Sequence, residues 1–334
     1  MELSYLDQIL SAVRGARVCV IGDVCLDLYW RADMKRSRLS RETPHFPLPV
    51  TEERGSLGGG GNVMANLTAL GAAVLPVSVI GRDWRGWLLR DLFRAAGLPE
   101  GGLIVDDARV TPCYAKPLRA GISDVVYEDP RLDFENAAPL SAETERAVLS
   151  ALYAAADAAD VIAVSDQLAY GVITPAVREA LCALGKTKPV LVDSRDRIAL
   201  YTNVIVKPNE VEAAAAAKAL SPETTFDPAQ AARLLSARTN APAIVTLGEG
   251  GSLWCENGSV TAVPAVKTEP PVDTVGAGDT FLAACAAALA VGVPGPDALR
   301  FASLASAVTV KKRGVTGTAS PEELRAALSV RKGA

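Results

Sequence analysis

The run Asp273-Thr274-Val275-Gly276-Ala277-Gly278-Asp279-Thr280-Phe281 joins a glycine turn, a carboxylate and the start of an alanine-rich helix. That combination suits phosphate chemistry. Gly276 and Gly278 let the main chain approach a ligand with no Cβ in the way. The helix expected over Asp279 to Leu289 turns its unpaired N–H groups and positive dipole end into the same space, an anion site shared by Gly276, Ala277 and Gly278. Asp279, at its mouth, could take the proton from an attacking hydroxyl while the amides receive the charge on a transferred phosphoryl group. Taken alone, the same residues also suit a loop followed by a helix cap.

The motif is not alone. Leu57-Gly58-Gly59-Gly60-Gly61-Asn62, Lys207-Pro208-Asn209-Glu210-Val211-Glu212 and Val245-Thr246-Leu247-Gly248-Glu249-Gly250-Gly251 accompany it. Together they resemble, in order, the G-G-x-x-N, P-N-x-x-E, T-x-G-x-x-G and D-T-x-G-A-G-D-x-F signatures of the ribokinase-like (PfkB) sugar kinases. The resemblance spans nearly the whole chain. It implies ATP-dependent transfer to a sugar hydroxyl, with Asp279 as catalytic base and Gly276, Ala277 and Gly278 as anion hole. It also implies that Asp27 accepts hydrogen bonds from sugar hydroxyls, a role its paired oxygens suit, with Gly58, Gly59 and Asn62 against the sugar. Asn209 and Glu212 resemble the pair that orders Mg²⁺ through water around the triphosphate, with Lys207 approaching the phosphates and Thr246, Gly248 and Gly251 forming the loop beneath ATP. Asp273, with the Val275 carbonyl, Gly314 and Thr318, resembles a site for a K⁺-like ion in some relatives. Each also has a plainer reading: Asn209 and Glu212 as a helix cap and first-turn acid, Asp27 as a turn residue, the glycines as a flexible loop.

Composition agrees with a soluble enzyme. The 334 residues hold 34 basic and 38 acidic side chains, a net charge of −4, which points to neither nucleic acid nor an anionic membrane. No uncharged run reaches the roughly eighteen residues that a membrane span needs, and Met1-Glu2-Leu3-Ser4 lacks a basic, then apolar, leader. A cytoplasmic protein is expected. The six cysteines lie far apart in apolar segments and read as buried small hydrophobes. With His45 the single histidine, neither a Ser-His-Asp triad nor a multi-histidine zinc site can be built.

The elements that must position these residues alternate. Apolar runs at Arg17 to Gly22, Val74 to Ile80, Val161 to Val164, Val190 to Asp193, Val204 to Val206 and Ala243 to Thr246 predict buried parallel strands. Helical patterns fall between them at Asn62 to Leu70, Ala142 to Ala156, Pro175 to Leu184, Val211 to Ala219 and Pro228 to Ala237. This is an α/β fold, a doubly wound, mostly parallel sheet flanked by helices, as one domain over 1–334. Ligands of such sheets collect past the carboxyl ends of strands, where Gly22-Asp23, Asp166, Asp193, Asn209 and Gly248 stand. Residues 28–53 and 109–135 break the rhythm with short extended pieces and predict a small β-sheet, by resemblance a lid over the sugar. Its exposed edge makes a homodimer through the lid an expectation.

Gly22-Asp23-Val24-x-Leu26-Asp27-x-Tyr29-Trp30, Ser37-Arg38-Leu39-Ser40, Arg131-Leu132-Asp133-Phe134-Glu135 and Ser320-Pro321-Glu322-Glu323-Leu324 are more specific and resemble the bacterial heptose-7-phosphate kinases. That implies ATP, Mg²⁺ and the anomeric hydroxyl of D-glycero-β-D-manno-heptose 7-phosphate. The acceptor's own phosphate then needs cations, for which Lys116 and Arg131, with Arg38 and Arg119, are candidates. The chain departs from that pattern at Arg41, His45-Phe46, Leu118 to Asp124 and Ser303, which bears on the sugar and not on the reaction. With no H-x-G-H motif, only the kinase part is expected here. Competing readings are a PfkB kinase for another sugar, sugar phosphate or nucleoside, a dinucleotide oxidoreductase, and a non-catalytic sugar-binding protein. The oxidoreductase lacks a G-x-G-x-x-G after the first strand, and an intact Asp279 weighs against a binder.

Overall fold

A computed structural model describes residues 1–222, 225–314 and 316–330. In chain order the elements begin α1 (Leu3–Val13), β1 (Arg17–Gly22), β2 (Val24–Asp33), β3 (Val50–Gly59), α2 (Gly60–Leu70), β4 (Ala73–Gly81), α3 (Trp84–Ala95), β5 (Leu103–Asp106), β6 (Cys113–Ala120), β7 (Tyr127–Glu128) and β8 (Leu132–Phe134). They continue with α4 (Ala142–Ala158), β9 (Val161–Asp166), α5 (Pro175–Leu184), β10 (Val190–Ser194), β11 (Ile205–Val206), α6 (Glu210–Leu220), α7 (Pro228–Thr239) and β12 (Ala243–Thr246). The last are β13 (Ser252–Glu256), β14 (Ser259–Val263), α8 (Ala277–Ala290), α9 (Gly295–Thr309) and α10 (Pro321–Val330).

Among the described residues nine strands form one sheet, ordered β14-β13-β12-β11-β10-β9-β1-β4-β5. All its pairs are parallel except β12 with β13 and β13 with β14. Alternation along β1 shows why helices cover both faces. Val18 and Val20 enter a core built with α1, α2, α8, α9 and α10, whereas Cys19 and Ile21 enter one built with α4, α5, α6 and α7. Local signals set the helix starts: Ser141 caps α4, Thr174 precedes Pro175 on α5, and Asp227 precedes Pro228 on α7, each side chain accepting an N–H of the first turn.

The chain goes one way from β1 to β4 and the other to β9, so a switch point opens between β1 and β9. Gly22 lies there with φ 144°, and a Cβ on it would stand 2.0 Å from the Ser165 carbonyl oxygen. Only glycine lets the strand ends close so tightly.

The second sheet is ordered β3-β2-β6-β7, with β8 also paired to β6. It is larger than the sequence predicts: β2 already begins at Val24 and β3 runs on to Gly59, where short pieces within 28–53 were expected. Alternation gives it two unlike faces. Leu26, Leu28, Cys113 and Ala115 pack with Leu88 and Leu92 of α3 and with Phe134. The register puts Asp27 opposite Ser56 and Tyr114, and Tyr29 opposite Arg54 and Lys116, so the other face is polar.

Candidate active site

The site begins at the amino end of α8. Gly276 caps the helix with φ 78°, and a Cβ there would meet the Asn62 side-chain nitrogen at 2.7 Å. That space is needed, because Asn62 Nδ2 donates to Asp279 Oδ2 at 2.9 Å. Asn62, expected against the sugar, is buried in α2 and reaches the helix that carries the proposed base. The Ala277 N–H closes a turn on the Thr274 carbonyl at 3.1 Å, whereas a Cβ on Gly278 would meet no atom within 4 Å. Burial, helped by Asp193 and Asp27, pushes the Asp279 carboxyl up to about 7, against the Asn62 hydrogen bond and the Lys207 charge, which pull it down.

The polar face of the second sheet supplies the facing wall. Asp27 is buried, with Lys116 Nζ 3.6 Å from its Oδ1. Burial raises its pKa against the opposing charges of Lys116 and Arg131. Lys116 also donates to the Tyr29 hydroxyl at 3.1 Å. Arg131 lies 4.3 Å over the Tyr114 ring and donates twice to Asp133, at 2.6 Å each. Of the other two candidate cations, Arg119 pairs with Asp129 at 2.5 Å, and Arg38 lies exposed outside this face.

Gly58 and Gly59 each have close neighbours within the fold. A Cβ on Gly58 would stand 2.8 Å from Asp27 Oδ2, and one on Gly59 2.6 Å from the Asp23 carbonyl oxygen. Their missing side chains make room for the Asp27 carboxylate and the Asp23 backbone. Asp23 is likewise structural: it is buried and accepts the N–H groups of Gln167, Leu168 and Val172. Asp166 is held by Arg197, Ser194 and Tyr201.

On the third side, Asn209 and Glu212 form a complete capping box: Asn209 Oδ1 accepts the Glu212 N–H at 2.9 Å and Glu212 Oε2 accepts the Asn209 N–H at 2.8 Å. The plainer reading of the pair is therefore present, and it leaves Glu212 Oε1 over. Thr246 bridges to Asn209 and donates its N–H to Pro208 at 3.0 Å, which joins the two nucleotide motifs. Gly248, with φ 55°, faces open space, whereas Gly251, with φ 93°, admits the Val263 carbonyl, which a Cβ would meet at 2.2 Å. Lys207 is only 3% exposed and lies 3.1 Å from Asp193 Oδ2, so it acts as a buried counter-charge to Asp193. Asp273 accepts the N–H groups of Val275 at 3.1 Å and Gly314 at 2.8 Å and braces the loop ahead of α8.

The fold thus brings Asp27, Asn62, Asp193 and Lys207 within reach of Asp279, with Glu212 within reach of Lys207. Sequence reasoning assigned no role to Asp193, Tyr29 or Arg54. Asp193 carried a signal, an acid ending an apolar strand. Arg54, which stacks 4.7 Å over the Tyr29 ring and donates to the Gly314 carbonyl, carried none.

Residues 16–323 match the pfkB family carbohydrate kinase description. The bifunctional protein HldE of Geotalea uraniireducens is 37% identical over 331 residues, which cover 97% of this chain and 65% of that protein, so the chain spans about 65% of that relative's length. Ribokinase from Thermotoga maritima superposes with a TM-score of 0.67 at 22% identity, covering 94% of this chain and 99% of its own. Phosphofructokinase-2 from Escherichia coli, solved in complex with potassium, superposes with a TM-score of 0.69 at 20% identity, covering 95% and 99%. These two share the ribokinase-like fold with it. With a sequence match over most of its length and the fold to go with it, the chain belongs to the pfkB family of carbohydrate kinases and is an ATP-dependent kinase.

Proposed function

We propose that the protein transfers the γ-phosphoryl group of ATP to the anomeric hydroxyl of D-glycero-β-D-manno-heptose 7-phosphate. The observation that carries the reaction is the Asp279 carboxyl, raised to about 7, oriented by Asn62 and set at the open first turn of α8 beside Asp27. A carboxylate near neutrality can accept a proton in the transition state and release it afterwards. The acceptor oxygen bonds to the γ-phosphorus as the bond from that phosphorus to the β,γ-bridging oxygen breaks; the hydroxyl proton passes to Asp279, and ADP leaves with the bridging oxygen. Asp27 orients the acceptor from the second sheet, which acts as a lid and limits water at the acceptor.

Magnesium fits in an indirect role. Among the described residues no three metal-binding side chains cluster, but Glu212 keeps one carboxylate oxygen free of its cap and would hold, through water, an ion bound mainly by phosphates. Bound there, the ion would offset triphosphate charge. Asp273 and Gly314 remain the proposed surroundings of a K⁺-like ion.

The heptose 7-phosphate assignment draws on the finer motif resemblance, the likeness to HldE, and Lys116 and Arg131 on the acceptor face. One observation favours another acceptor: Lys116 and Arg131 are already paired, with Asp27 and Asp133. A kinase for an unphosphorylated sugar is the second reading. ADP release coupled to a panel of sugars, sugar phosphates and nucleosides separates them. Heptose 7-phosphate should be turned over best; preference for a sugar without a phosphate would overturn the heptose assignment and leave the sugar kinase standing.

A further inference from the structure

Helix α2 carries a second buried amide, Asn66, one turn after Asn62 and on the same face; both residues are 1% exposed. Asn66 Nδ2 donates toward three acceptors: the Asn62 carbonyl at 3.0 Å, Asn62 Oδ1 at 3.1 Å and the Gly317 carbonyl at 3.3 Å. Its own Oδ1 is buried and has no hydrogen-bond partner among the described residues. A bond to the carbonyl four residues earlier is a common local habit of asparagine. That habit accounts for neither the Asn62 side chain nor Gly317, 251 residues away.

The Asn62 amide fits its space in two orientations, because its oxygen and nitrogen are alike in size. Only one of them serves Asp279: with Nδ2 forward it donates to the carboxylate at 2.9 Å, and with Oδ1 forward it would set oxygen against oxygen. Asn66 decides between them. Two of its three acceptors are backbone carbonyls, which cannot turn round, so its nitrogen must face them and its oxygen goes without a partner. The same nitrogen then holds Asn62 Oδ1 away from Asp279. Polarity thus runs from fixed backbone through Asn66 and Asn62 to the carboxylate, and a stranded buried oxygen, which costs stability, accompanies it.

We propose that Asn66 is a positioning residue for the transfer, fixing the Asn62 amide with its nitrogen toward Asp279. Asn66 exchanges no proton and forms no bond. The proposal rests on Asp279 being the base proposed above, and not on which sugar is the acceptor. The titratable groups that face Asp279 are Asp193 on β10, Lys207 just past β11, and Asp27 and Cys25 on β2; all of them remain when Asn66 is replaced.

The test compares Asn66→Leu, which keeps the size and removes the donor, with Asn66→Ala, Asn62→Ala and Asp279→Asn. In the wild-type protein the rise of kcat/KM through about pH 7 reports Asp279. A released Asn62 no longer supports the carboxylate, so in Asn66→Leu that rise should move up by about one pH unit, the size of one hydrogen bond to a charged group. At pH 6 kcat/KM should then fall about tenfold, as the ionised fraction does, while at pH 9 it approaches wild type. Asn66→Ala leaves room for a water to donate instead and should shift less. With Asn62→Ala already in place, Asn66→Leu should shift the rise no further. Melting curves give the same titration without turnover: the loss of stability with rising pH should extend to about 8 in Asn66→Leu, and that extension should disappear when Asp279→Asn is added. If the rise keeps its wild-type pH in both Asn66 variants while Asp279→Asn abolishes it, Asn66 alone is excluded. An equal shift with and without the Asn62 amide would make Asn66 a packing residue and overturn the proposal. A rise that persists in Asp279→Asn would instead remove Asp279 as the base, and the role of Asn66 with it.

Discussion

Asp279 couples catalysis to stability in one carboxyl group. Asp279→Asn should lower kcat by about 10²–10⁴, the range for a positioned general base, with ATP affinity kept. In the wild-type protein kcat/KM should rise with pH through about 7 as the base ionises, and steady-state profiles in the variant should lose that limb. Stability should move the opposite way. An unfolded chain releases this proton near the ordinary carboxylate value of about 4, whereas the fold keeps it to about 7, so each pH step between them favours unfolding. Asp279→Asn should therefore melt above wild type at pH 8, the difference vanishing as pH falls to about 4. A melting temperature that responds to pH alike in both proteins would contradict this. Asp27 makes a separate claim, since its partners lie on the second sheet: Asp27→Ala should weaken sugar binding and spare nucleotide binding in calorimetric titrations. Equal loss for both ligands would remove it from the acceptor site.

Elements hold these groups through a few close approaches. Gly276→Ala forces a side chain into a left-handed cap and against Asn62, so it should cost about 1–3 kcal/mol in urea unfolding. It should also reduce turnover, because Asn62 can no longer hold Asp279; undiminished activity would separate the cap from the catalytic geometry. Lys207, just past β11, and Asp193, near the end of β10, form a pair whose side chains are 4% and 10% exposed. Lys207→Met strands a buried carboxylate and should destabilise by about 3–5 kcal/mol, with Asp193→Asn added to it recovering much of the loss. Additive losses in the double variant would show that the pairing is not what matters.

At the scale of the whole molecule there are two sheets, and the substrate question belongs to the second. If the acceptor carries a distal phosphate, Lys116→Ala or Arg131→Ala should weaken it by about 1.5–3 kcal/mol and hardly change the unphosphorylated analogue. Equal effects on both analogues would leave these residues as the partners of Asp27 and Asp133 alone. The outer parts of the second sheet expose Ile122, Val125, Tyr127 and Val50, with Ile122 79% accessible. A homodimer through that edge is expected, and light scattering at several concentrations would detect a monomer instead.

What could be read from the sequence was what neighbours along the chain decide. The glycine turn before α8, the caps of α4, α5 and α7 and the apolar runs of β1, β4, β9, β10 and β12 follow from local backbone preference and periodicity. The missed elements, α1, α3, α9, α10 and the strands β5, β13 and β14, are weaker local patterns that form because packing and pairing reward them. β2 was read too short because its residues from Val24 alternate between two unlike faces right after β1. The site shows the same division. Asp27, Glu212 and Asp279 were legible as candidates, since residue type and spacing are properties of the chain. That Asn62 holds Asp279 across 217 residues, that Gly58 and Gly59 shelter Asp27 and the Asp23 backbone, and that the acceptor-side cations are mostly paired could be known only from the fold. Desolvation, Coulomb energy and steric exclusion depend on separation in space, so the upward shift of the proposed base follows from the tertiary structure.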